Sequence, residues 1–240
     1  EQVWTMPKFG TFNLHAALLP QYRGAAPINW AVINGELRTG VTTFMIDKKI
    51  DTGGILFRES CLIGPADTAG DVHDRLMEMG ATLVVDTVEA ILQRNVETRV
   101  QRSFIQGSEV LHPAPKLTRE LQHIDWNAPT REVYNLIRGL SPFPCAFTEL
   151  VRDGEATQLK IFFGEQRMDL HAAPGTVISD GSFIAIATAD GAIELKDVQL
   201  AGKKRMDAAS FLKGFREPSS YVATAGTSHE EILKYTPEEE

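Results

Sequence analysis

Asn13 and His15 stand two residues apart in Gly10-Thr-Phe-Asn-Leu-His15. Positions i and i+2 of a strand share a face, so an amide and an imidazole can be presented to one point in space. That pair suits a carbonyl oxygen that gains negative charge. An Asn NH2 and a protonated His both donate hydrogen bonds to it, and one such donor is worth ~2.7 to 4 kcal/mol of transition-state stabilisation. Asp51 supplies a carboxylate that can orient and charge the imidazole, or pass on through water the proton lost by an attacking amine. The three together make an acyl-transfer site. Spacing alone leaves a second reading open, in which Asn13 and His15 are a structural hydrogen-bonding pair. The loop that follows, Ala17-Leu-Leu-Pro20 and then Gln-Tyr-Arg-Gly24, is apolar between polar groups. A flat heterocyclic ligand needs such a wall beside polar edges. A buried loop anchored by two leucines is the plain alternative.

The elements that must hold these residues follow from pattern. Gly10 to His15 alternates as a short strand, and Pro27 opens a helix whose apolar run reaches Ile33. Val41 to Ile46 and Ile55 to Ile63 read as strands joined by the polar turn Asp47 to Gly54, which carries Asp51. From Thr68 the spacing is helical: Val72, Leu76, Met79, Leu83, Val84, Val88, Ile91 and Leu92, with Asp67 or Thr68 as N-cap and Gly80 marking a break or a close helix contact. Residues 97–116, with Gly107-Ser108 and His112-Pro-Ala-Pro115, read as a linker. Beyond it, Thr130 to Leu140 is an amphipathic helix capped by Gly139 and stopped by Ser141-Pro-Phe-Pro144. Five short strands follow, at 145–151, 158–163, 175–179, 183–188 and 193–200, with Asp-Gly turns at 153, 180 and 190, and then a helix over 206–215. Strands with tight turns and a flanking helix suggest an OB-like barrel. The expected layout is thus an α/β part over 1–96, the linker, an OB-like domain over 117–225 and a solvated acidic tail over 226–240.

The 240 residues are 43% hydrophobic and carry a net charge of −8. That supports genuine cores and argues against nonspecific coating of nucleic acid, which draws on clustered Lys and Arg. Lys203-Lys-Arg205 is nevertheless a compact basic cluster, either a phosphate contact or a solvated turn. No stretch approaches the ~18 to 20 apolar residues of a membrane span, and the first residues lack an export signal. Cys61 and Cys145 lack metal-ligand spacing and read as reduced thiols.

The quoted motifs also carry a resemblance. Asn13-Leu-His-Ala-Ala-Leu-Leu-Pro-Gln-Tyr-Arg-Gly-Ala-Ala-Pro-Ile28, followed by Gly40 to Gly54, resembles the formyltransferase family. The resemblance implies a Rossmann-like catalytic domain, 10-formyltetrahydrofolate as formyl donor, no metal, and a catalytic triad on Asn13, His15 and Asp51. It places the folate against Ala17, Leu18, Leu19 and Pro20, with Ala17 standing where a serine is common. Ala114-Pro-Lys-Leu117, Ile124-Asp-Trp126, Ile137 to Pro144 and Ala201-Gly-Lys-Lys-Arg-Met206 are similar to the C-terminal domain of members that act on tRNA. That implies a monomeric cytoplasmic enzyme of translation initiation, formylating the α-amino group of initiator methionyl-tRNA. Arg23, Lys203, Lys204 and Arg205 are its candidate tRNA contacts. The family's catalytic domain begins well before the position of Asn13, so the chain reads as the C-terminal part of such a protein. Two other readings stay open: formylation of a small amine, and an RNA-binding or structural module without turnover.

Overall fold

The computed structural model describes residues 3–228 and residue 232. The chain forms two compact units, one built from residues up to Val32 with Glu36–Lys116, the other from Leu117 onward with Ile33–Gly35.

In the first unit, β1 (Phe12–His15), β2 (Arg38–Met45) and β3 (Ile55–Leu62) form an antiparallel sheet in that order. The short helix α1 (Pro27–Ile33) follows the loop after β1, and α2 (Ala69–Leu92) packs on the sheet. Helix α2 starts with a capping box, in which Thr68 Oγ1 accepts from the Asp71 backbone N–H and Asp71 accepts from that of Thr68. It buries Val72, Leu76, Gly80, Leu83 and Thr87, a stripe at spacings of three and four. The stripe departs from the sequence expectation at its end. Val88 and Leu92 are exposed, because Thr87 faces the sheet and shares a hydrogen bond with Thr43 of β2 at 2.9 Å. Gly80 does mark a close contact: a Cβ there would sit 2.6 Å from Leu14 Cδ2.

Residues 97–116 were expected as a linker, but they bind along the first unit. Ile55 and Arg99 exchange two backbone hydrogen bonds. Further on, the Tyr22 N–H donates to His112 O, the Ala114 N–H to Arg23 O and the Ala26 N–H to Ala114 O. The Pro-rich composition that reads as a connector is here a segment with a 3-10 turn at Gln101–Phe104, whose backbone groups pair with Ile55 before it and with the loop after β1 beyond it.

The second unit holds α3 (Arg119–Gln122), α4 (Thr130–Leu140), α5 (Ala208–Gly214) and strands β4 (Ala146–Arg152), β5 (Glu155–Arg167), β6 (Val177–Ser179), β7 (Ile184–Ala187), β8 (Ala192–Leu200), β9 (Met206–Asp207) and β10 (Val222–Ala223). The sheet runs β10-β4-β5-β8-β7-β6, with β9 beside β8. A bridge between Thr176 and Val222 joins its two ends, so it is a nearly closed barrel. Trp126, Leu150, Ile161, Ile184, Ile186 and Leu195 are fully buried within this unit. Pro129 cannot cap α4 through its side chain. Asp190 of the β7–β8 turn does so instead, accepting from the Thr130 N–H at 2.7 Å.

Three expectations change here. Gly139 lies inside α4, whose C-cap is Ser141. Met206 begins a short strand rather than a helix. β5 runs thirteen residues, more than twice its predicted span, because both β4 and β8 pair along it. The acidic residues Glu230, Glu231 and Glu238 to Glu240 lie outside the described residues. No described helix is long and apolar enough to cross a membrane.

Candidate active site

β1 pairs only with β2 among the described strands, with Asn13 opposite Phe44 and His15 opposite Thr42. Leu14 turns to α2, so Asn13 and His15 occupy the other face, as period-2 alternation requires. Asn13 is exposed. His15 is 6% exposed, its ring edge-on to Phe44 with centroids 6.4 Å apart.

The imidazole is fixed at both nitrogens. Nε2 lies 2.7 Å from the carbonyl oxygen of Tyr22, and Nδ1 lies 3.6 Å from Asp51 Oδ2. A carbonyl only accepts, so Nε2 carries a proton. Donation from Nδ1 as well needs the imidazolium. At 3.6 Å the Asp51 contact is an ion pair rather than a tight hydrogen bond. Nε2 is thus taken up by the Tyr22 carbonyl, while Nδ1 faces the Asp51 carboxylate.

Asp51 sits in the β2–β3 connection at φ 54°, a left-handed conformation that Asp tolerates better than most residues. Its Oδ2 also accepts from the Gly24 N–H at 3.0 Å. The backbone around it is held by Gln101, whose Nε2 donates to Asp51 O at 2.7 Å and Gly53 O at 3.0 Å. Gln101 Oε1 in turn accepts from Arg23 Nε and Nη2 at 3.1 and 2.6 Å.

The apolar loop is pinned by Thr42, whose hydroxyl donates to Ala17 O at 2.6 Å and accepts from the Leu19 N–H at 3.2 Å. Ala17, Leu19 and Pro20 are buried and Leu18 is half-buried. Leu19 packs with Phe44 and Ile55. Of the four candidate folate-lining residues, Leu18 is thus the one whose side chain keeps a surface.

The structure brings His15 and Asp51 together and leaves Asn13 exposed on the His15 face of β1. It gives two candidate tRNA contacts other work: Arg23 is bound by Gln101, and Arg205 donates through Nε and Nη2 to Asp197 Oδ2 while lying 4.1 Å over the Phe162 ring. Lys203 and Lys204 are exposed. Sequence reasoning missed Thr42, Gln101 and the Tyr22 carbonyl. A lone Gln in a Pro-rich stretch and a main-chain oxygen carry no motif. Thr42 is not singled out either, since Thr39 and Thr43 stand on the same strand.

An amide and an imidazole on one strand face with a carboxylate beside the ring, followed by a barrel unit, is an arrangement that can serve acyl transfer. The chain belongs to the formyl transferase family: residues 1–88 match Formyl transferase, and residues 116–216 match Formyl transferase, C-terminal domain. Among its relatives are two proteins named methionyl-tRNA formyltransferase. The one from Parabacteroides distasonis is 49% identical over 92% of this chain and 69% of its own length. The one from Azobacteroides pseudotrichonymphae is 53% identical over 89% and 67%. In fold, the chain resembles HypX from Aquifex aeolicus in complex with tetrahydrofolic acid, with a TM-score of 0.64 and 21% identity over 86% of this chain and 35% of HypX. It also resembles an N-formyltransferase from Helicobacter canadensis, with a TM-score of 0.60 and 20% identity over 81% and 66%.

Proposed function

We propose that this chain carries the acyl-transfer centre of a methionyl-tRNA formyltransferase, moving a formyl group from 10-formyltetrahydrofolate to the α-amino group of initiator methionyl-tRNA. The relatives' shared name supports this reading, and the observation that carries it is the His15 ring. With Nε2 committed to Tyr22 O, Nδ1 faces Asp51 Oδ2 at 3.6 Å, on the strand face that Asn13 shares. The donor set fits a formyl carbonyl, because Asn13 is exposed and Leu18 offers an apolar edge nearby.

The folate supplies a formyl carbon on N10 as the electrophile. The amine nitrogen forms a bond to that carbon, the N10–C bond breaks, one proton leaves the amine and one is gained at N10. Asn13 Nδ2 and His15 Nδ1–H stabilise the charge developing on the formyl oxygen. Asp51 orients His15 and accepts the amine's proton through water. We read the first unit as part of a Rossmann-like domain and the second as an OB-like, tRNA-binding domain. Lys203 and Lys204 are its phosphate contacts in this reading.

The test is a single-turnover formylation assay beside a tRNA-binding titration. Formylation by the chain, lost on the order of 10² to 10³-fold in Asn13→Ala with tRNA binding unchanged, is the expected result. Binding of tRNA without any turnover by the chain would instead support an RNA-binding module. Formylation of a small amine in preference to methionyl-tRNA would move the chain to another branch of the family.

A further inference from the structure

His15, Thr42 and Arg58 stand opposite one another across β1, β2 and β3. Directly paired residues project to one face, and two strand spacings amount to about 10 Å. Arg58 therefore leaves the same face as His15, two strands away. A cavity of about 570 Å³ opens there, lined by Arg58, Ser103, Phe104, Gln106 and Glu109.

Its chemistry is that of a cationic site. The Arg58 guanidinium lies 4.7 Å from the Phe104 ring centroid and that of Arg99 lies 4.5 Å from it. Arg58 Nε is buried and bonds to nothing. Burial lowers the Arg58 pKa, Glu109 raises it and Arg99 lowers it again, so two like charges are held near one ring. Glu109 does not neutralise them by contact. Its Oε1 accepts from Gln21 Nε2 at 3.0 Å and its Oε2 from the Gln106 N–H at 3.1 Å. Buried polar groups are almost always paired, and a guanidinium's natural complement is an oxyanion, which it grips through two parallel N–H bonds.

We propose that this cavity is an oxyanion subsite that holds a phosphodiester of the acceptor strand beside its aminoacyl end, with Arg58 as the phosphate contact. The inference rests on the reading of the chain as a methionyl-tRNA formyltransferase. An aminoacyl ester whose amine reaches His15 has its first phosphodiester one nucleoside away, and the cavity lies two strands from His15 on the same sheet face. The volume exceeds a lone phosphate and falls within the range of pockets that hold nucleotide-sized ligands. The glutamyl carboxylates of the folate donor are the other source of the same chemistry.

Steady-state formylation by Arg58→Gln, with both substrates varied, separates the sources. The subsite requires a rise on the order of tenfold in KM for methionyl-tRNA, with kcat and the KM for 10-formyltetrahydrofolate held within about twofold. The plot of log affinity for tRNA against log salt becomes shallower by about one. Glu109→Gln should act in the opposite direction, tightening tRNA binding, a gain that a damaged fold cannot produce. An unchanged tRNA KM and salt slope in Arg58→Gln overturns the subsite, and so does a rise confined to the folate KM. If the unsubstituted chain neither binds nor formylates methionyl-tRNA, the functional reading fails and the subsite with it. If it does both and Arg58→Gln matches it, only the subsite fails.

Discussion

His15 and Asp51 face each other at 3.6 Å, Nδ1 to Oδ2, although they lie 36 positions apart in the chain. The gap is wider than a hydrogen bond, so the carboxylate faces the ring without occupying Nδ1.

Asp51→Asn separates charge from structure. Asn also tolerates the left-handed backbone, and its amide oxygen can still accept from the Gly24 N–H. The melting temperature should stay nearly unchanged while kcat for formylation falls by about 10² to 10⁴-fold. Full activity in this variant would remove Asp51 from the mechanism.

Gln101→Leu tests the brace behind Asp51. It leaves the carbonyls of Asp51 and Gly53 and the Arg23 guanidinium without their partner. A cost of about 1 to 3 kcal/mol is expected in urea denaturation, because buried groups left unpaired lose their hydration without compensation. kcat should fall with it, and Gln101→Glu, which keeps the acceptor for Arg23 and loses the donor, should recover stability only in part.

Gly24→Ala attacks the loop from the backbone. Gly24 has φ 121°, and a Cβ would lie 2.5 Å from the Ala114 carbonyl oxygen. The substitution should destabilise by more than about 1 kcal/mol, read as a lowered denaturation midpoint, since both the conformation and the space refuse a side chain. Wild-type stability would mean that residues 110–115 are not held where the structure places them.

The second unit carries its own acid sensitivity. Asp169 is lowered to about 2 by hydrogen bonds from Arg167 first and from the backbone second. Burial pushes Glu194 up, but hydrogen bonds from Lys196 and Arg167 outweigh it and leave it lowered. Depressed carboxylates contribute stability above their ordinary pKa and lose it as pH falls through the folded value. Arg167→Ala should therefore flatten the dependence of Tm on pH between about 4.5 and 2. An acid limb as steep as that of the unsubstituted chain would show that this exposed cluster contributes nothing.

Much of this was legible in the sequence because it is local. The i, i+2 relation of Asn13 and His15 follows from strand geometry alone, and the three-and-four spacing from Val72 to Leu83 fixes a helix and its buried face. The family itself is legible in two short motifs. What the sequence could not determine is which groups meet across long separations. Composition at 97–116 reads as a linker, and only in the folded unit do its backbone groups reach the loop after β1 and its Gln101 reach Asp51. Arg23 and Arg205 look alike as free cations in sequence, and the tertiary structure commits both, to Gln101 and to Asp197. The same holds for the His15 nitrogens. Their assignment depends on a main-chain oxygen and a distant carboxylate, and hydrogen-bond partners of that kind have no sequence signature because any residue can supply a carbonyl.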